Sequence, residues 1–263
     1  MKNFTKIIVP AFALAIGFTS CDKVPTEPTT QTPTTTTPSS PTPVQPNING
    51  DYSGVMVALK MGFNYSMPQL PIPVNIESEM GIASFYSSPG SGTMVDAGTV
   101  KINTIDLKKE TNNSYLINAT TGLTPSTLNL GSGVAWSVSG AGSVSAVSYT
   151  HTGIFPDFDG TLPTEVDRAK GLDISLGSNI SGADSVYVVI IDKEGKIVQK
   201  AYGGNPAPAM ASFTASDLSG LSAVTDNAAY VEVVPFTYKT PTISGKQYVF
   251  IKEYAAVTAV NIK

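Results

Sequence analysis

Ser185-Val186-Tyr187-Val188-Val189-Ile190-Ile191 is the stretch on which the fold turns. Successive residues of a strand point to opposite faces, so Val186, Val188 and Ile190 share one face and Tyr187, Val189 and Ile191 the other. Neither face is polar. A strand with one solvated side would alternate apolar with polar residues. The run therefore predicts a central strand covered on both sides. Asp192-Lys193-Glu194-Gly195-Lys196 follows as a hairpin turn, with Gly195 suited to a positive φ. Ile197 to Tyr202 then returns antiparallel.

The pattern extends outward from this hairpin. Leu172-Asp173-Ile174-Ser175-Leu176 alternates cleanly. Phe213 to Leu221 reads as a short helical crossover, and Tyr230 to Phe236, Gln247 to Glu253 and Val257 to Ile262 read as further strands. Such a set over residues 163–263 resembles an immunoglobulin or fibronectin type III sandwich. Residues 50–162 carry shorter strand signals: Asp51 to Lys60, Val74 to Glu77, Ala97 to Asn103, Ser114 to Asn118 and Ala135 to Val138. Turn residues separate them at sandwich spacing. Phe155-Pro156-Asp157-Phe158-Asp159-Gly160 marks the boundary. No sustained amphipathic helix appears. The expected architecture is all-β, as two antiparallel sandwich modules, 50–162 and 163–263.

Composition limits the function. Of 263 residues, 41% are hydrophobic and only 14% charged, well below the usual quarter. Sixteen basic residues stand against 20 acidic ones, a net charge of −4, which excludes a dedicated nucleic-acid binder. One cysteine excludes a disulfide framework and thiolate zinc clusters, and one histidine excludes His-rich metal centres. No motif calls for a cofactor.

The N-terminus supplies an address. Lys2 and Lys6 precede an apolar run from Ile7 to Phe18, too short to span a bilayer and interrupted by Pro10. Gly17-Phe18-Thr19-Ser20-Cys21 resembles a relaxed lipobox, the cleavage site of bacterial lipoprotein precursors. Residues 1–20 are then the signal peptide and Cys21 the acylated first residue, a palmitate acceptor. Residues 21–49 follow as a Pro/Thr tether, including Thr32-Pro33-Thr34-Thr35-Thr36-Thr37-Pro38. With almost no aliphatic residues, it cannot offset the entropy of ordering and favours extended polyproline II. Lipobox, Asp22, tether and β-rich body together resemble outer-membrane lipoproteins of the Bacteroidota. That resemblance implies a lipid-anchored protein of the cell envelope, on the periplasmic or the surface side.

Catalytic patterns are few. His151 is the only histidine a Ser-His-Asp triad could use, and it reads as a solvent-facing strand-end residue. Asp157, Asp159, Glu165 and Asp167 form one acidic stretch. It could supply paired carboxylates for glycoside hydrolysis or oxygens for calcium, but an interdomain turn capped by Asp side chains explains it as well. For glycan contact, Tyr202 at an expected loop mouth is the better exposed candidate. Trp136, in phase with Val134 and Val138, fits the core better than a stacking platform. Asp184-Ser185-Val186 resembles the O-glycosylation acceptor of the Bacteroidota, with Ser185 as the modified residue. The expectation is a non-catalytic, lipid-anchored binding module for glycan or an envelope protein. The alternatives are a structural spacer or adhesin-like part and, third, a hydrolase.

Overall fold

The computed structural model describes residues 52–65, 74–89, 92–117 and 128–263. The signal peptide, Cys21 and the tether lie outside them. The protein is all-β, with strands β1 (Gly54–Tyr65), β2 (Val74–Phe85), β3 (Val100–Ile102), β4 (Val134–Val138), β5 (Val147–His151), β6 (Leu172–Ser175), β7 (Ser185–Ile191), β8 (Ile197–Gly203) and β9 (Met210–Phe213). Helix α1 (Ala215–Leu218) and the long strands β10 (Val224–Lys239) and β11 (Lys246–Ile262) complete the principal elements.

One sheet dominates. Its order is β8-β7-β10-β11-β1-β2, continued by the two-residue strands Tyr115–Leu116 and Lys108–Lys109. β11 and β1 pair in parallel from Gly54 with Tyr248 to Asn64 with Thr258, whereas β7, β8, β10 and β2 pair antiparallel with their neighbours. Strands from both sides of the boundary expected near 162 therefore share this sheet, joined by β1 and β11.

The apolar run at 185–191 behaves as its two apolar faces require. Val186, Val188, Val189 and Ile190 are fully buried, and β7 lies between β8 and β10. Its hairpin closes at Gly195 with φ +77°, while Asp192 Oδ1 accepts the N–H groups of Glu194 and Lys196 at 2.8 and 2.9 Å. The crossover forms as α1, started by a capping box between Thr214 and Asp217.

β10 and β11 differ from the sequence expectation in length. Gln247–Glu253 and Val257–Ile262 are one strand, because Tyr254, Ala255 and Ala256 keep pairing with Lys60, Met61 and Gly62. Alanines favour strands weakly, so the join is silent in the sequence. Pro235 is tolerated inside β10 because the ladder to β11 skips Val234 and Pro235.

Two small layers cover one face of the sheet. Over β1, β2 and the start of β11, the β3, β4 and β5 sheet buries Trp136, Val134 and Val138 against Met56, Phe85 and Phe250. Over β7, β8, β10 and the end of β11, the β6–β9 pair and α1 bury Ile174, Phe213 and Leu218 against Val188, Ile190 and Val231. The opposite face carries Leu59, Val189, Val234, Phe236, Ile251 and Val257. Among the described residues, its packed hydrophobics all come from the sheet strands and Tyr52. Tyr187 stacks on Phe236 there, with ring centroids 5.2 Å apart.

Ile190→Ala should destabilise the protein by at least about 2 kcal/mol, because lost transfer energy and a cavity add at a fully buried site. Lys193→Ala, in the exposed turn, should shift stability by under about 0.5 kcal/mol. Denaturant melts of the two variants check this, and equal effects would remove β7 from the core.

Candidate functional site

The covering layers meet over the middle of the sheet, and a strap at 152–155 crosses between them. Lys252, on β11, is fully buried beneath it. Its ammonium donates to the carbonyls of Gly153 at 2.5 Å and Ile154 at 3.2 Å, with Thr152 O at 3.4 Å. Phe155, the next residue, lies between two cations, with Lys60 Nζ 4.9 Å and Lys252 Nζ 5.8 Å from its ring centroid. A buried ammonium with carbonyl ligands is tolerable where a bare one is not. Burial and the charge of Lys239 still pull the Lys252 pKa below its ordinary value.

Beside this strap lies a cleft of about 470 Å³, lined by 152–154, 180–184, Gly204, Asn205, Thr237 and Lys239. That volume falls within the range of small-ligand sites. Its floor is the end of β10, where Thr237 pairs with Lys252 across the ladder. Its walls come from both halves of the chain. Asp184 is fixed three ways: its N–H donates to Phe236 O at 2.9 Å, its carbonyl accepts from Gly204 N–H at 3.0 Å, and Oδ2 accepts from Thr237 Oγ1 at 2.5 Å. Gly204 is needed for that approach, since a Cβ there would lie 2.7 Å from Ala183 O. Ile154 is 71% exposed on the rim, and Lys239 is exposed. Among the described residues, Lys239 makes no ion pair and no side-chain hydrogen bond.

His151 is not solvent-facing, which corrects the sequence reading. It is in phase with Val147 on β5 and pairs with Val134, so it points inward and is 1% exposed. Neither ring nitrogen has a hydrogen-bond partner. Burial pushes its pKa down to about 4, helped by the charges of Lys252 and Lys239 and opposed by Asp184. Among the described residues no side chain makes a hydrogen bond to the imidazole.

Tyr202 is corrected for the same reason. β8 runs to Gly203, and Tyr202 pairs with Val186 inside the core at 1% exposure, with its phenol pushed up to about 12 by burial. Trp136 is likewise 1% exposed, between Ile102 and Tyr149 on neighbouring strands. Neither offers a face to a sugar. Ser185 is 8% exposed between Gly203 and Phe236, which leaves little surface for an O-glycan.

The acidic stretch is dispersed. Glu165 pairs with Lys263 at 2.6 Å and Asp167 with Lys170 at 3.2 Å. Asp157 Oδ1 accepts the N–H of Phe158, and Asp159 N–H donates to Asn179 O. Among the described residues no group of three His, Cys, Asp or Glu side chains could hold a metal ion.

A second, larger depression of about 890 Å³ lies over Asp96, Lys101, Asp106, Lys109 and Tyr115. Its charges are already matched: Lys109 to Asp96 at 2.6 Å, Lys101 to Asp106 at 3.0 Å, and the Tyr115 hydroxyl donating to Asp96 at 2.8 Å. Those bonds, led by Lys109, hold Asp96 down to about 2.

The cleft residues Lys239, Thr237 and Asn205 escape sequence reasoning because only the register of β10 and the turn after β8 bring them together. Lys252 does leave a signal, a cation in phase with Phe250 and Tyr254 inside an apolar run. No family model matches the chain, nor does any curated protein or solved structure compared with it. No helix among the described residues is long and apolar enough to cross a membrane.

Proposed function

We propose that the protein is a lipid-anchored component of the cell envelope that binds a glycan or another envelope molecule in the cleft beside the 152–155 strap, without catalysis. The observation that carries the binding reading is the cleft itself. It gathers the Lys239 cation, which makes no ion pair among the described residues, with the fixed carboxylate of Asp184 and the amide of Asn205. Exposed Ile154 completes the rim. A few polar groups converging beside apolar surface is the usual make-up of a small-ligand site. The buried, unbonded His151 supports binding over hydrolysis. The sole cysteine behind a short apolar run supports the anchor.

Cys21→Ala should abolish fatty-acid incorporation and either release the chain or trap it as its precursor. Mass spectrometry of the N-terminal peptide checks this, and acyl mass retained on the variant would end the lipoprotein reading. A glycan array probed with the Cys21→Ala chain tests the cleft. Signals lost on Asn205→Ala support it, and signals indifferent to cleft substitutions place binding elsewhere.

A further inference from the structure

Resting on that reading of the cleft, we infer that its ligand is a carboxylated sugar, with Lys239 as the anchor for the carboxylate. The charged residues lining the cleft are Lys239 and Asp184, with Lys252 buried beneath the 152–154 strap. Both lysines act on buried His151 in the same sense, and Asp184 opposes them, so all three share one field.

The two lysines are not equivalent. Lys252 is spent on the strap carbonyls of Gly153 and Ile154. Lys239 is exposed and makes no ion pair among the described residues, so it has an ammonium to give. An ammonium on a flexible stem meets a carboxylate as a compact point charge. Beside it, Asp184 Oδ2 holds Thr237, and among the described residues Oδ1 takes no hydrogen bond. A carboxylate acceptor suits sugar hydroxyls, which donate. Asn205 can donate or accept. Ile154 gives the apolar C–H face of a sugar a surface, in place of the aromatic platform that burial of Tyr202 and Trp136 removes. A bare anion would use only Lys239 and would meet Asp184 unfavourably. A neutral sugar would leave Lys239 unused. A hydroxylated carboxylate uses all of these groups.

Titration of the full chain carrying Cys21→Ala with glucuronate, glucose, acetate and inorganic phosphate, followed by amide chemical shifts, tests this. Glucuronate should bind at least tenfold more tightly than the other three, shifting amides at 152–154, 180–184 and 204–205. Lys239→Gln, a surface substitution, should remove that advantage, while Lys193→Gln in the distant turn leaves it intact. Glucose equal to glucuronate, with Lys239→Gln neutral, would overturn the anionic ligand and leave the cleft reading standing. Phosphate or acetate equal to glucuronate would overturn the sugar. Absence of shifts in the cleft with any of these probes and with the glycans bound on the array would overturn both.

Discussion

Lys252→Ala is expected to cost at least about 3 kcal/mol of folding stability, since it leaves buried carbonyls without a donor and opens a cavity. The ammonium is the meeting point of the 152–154 carbonyls and the central strand of the sheet. Lys252→Met separates the two contributions. It keeps most of the stem volume but cannot donate, so it should lose the share that comes from the unpaired carbonyls and little of the cavity share. Urea unfolding of both variants measures this. If Lys252→Met is as stable as the wild type, the carbonyl cap does not hold the strap, and the cleft wall at 152–154 loses its support.

The second large effect belongs to Glu232, and it depends on pH. Glu232 is fully buried on the face opposite the cleft, with no hydrogen-bond partner for either carboxylate oxygen. Burial, with the negative charge of Glu253 adding, pushes its pKa up from 4.5 to about 8. A raised pKa means that the folded state binds a proton more readily than the unfolded chain. The stability it contributes is complete below pH 4.5 and is lost as pH rises through about 8. Each tenfold difference in proton affinity between the folded and unfolded chain corresponds to about 1.4 kcal/mol, so the full effect is on the order of 3–5 kcal/mol. His151 acts with the opposite sign, because its pKa is lowered from 6.5 to about 4, and its destabilisation develops as pH falls through that window. Between neutral pH and about pH 9 the Glu232 contribution is therefore seen without that of His151. Glu232→Gln should match the wild type in mild acid and exceed it by a few kcal/mol near pH 9. Parallel pH–stability curves for the two proteins would show that Glu232 is ionised and solvated in the native state.

Much of the fold is legible in the sequence, through period-two alternation. The two-sided apolar run of β7, the Gly195 hairpin and the Thr214–Asp217 start of α1 all follow from local chemistry. What alternation cannot give is which strand lies beside which. The parallel pairing of β1 with β11 joins residues about two hundred positions apart, and nothing in either segment names its partner. The cleft depends on such long-range pairing, so its residues are scattered along the chain and share no local motif. Tyr202 and His151 mislead for a narrower reason. Each lies at or next to the end of its strand, beside turn residues that suggest exposure, but the alternation through Val198 and Val147 turns both side chains inward. Ser185 misleads similarly as a modification site, because a three-residue pattern carries no information on burial.

Both halves of the chain share one sheet, and the cleft exists because they do. Native-state hydrogen exchange on the wild type and on Ile190→Ala tests it most directly. Ile190 lies in β7, three strands from β1. If the sheet opens as a unit, the most protected amides of β1, β7 and β11 share one opening free energy, and Ile190→Ala lowers all three by the same amount. If β1 keeps its full protection in the variant while β7 loses it, the two halves unfold separately and the shared-sheet account is contradicted.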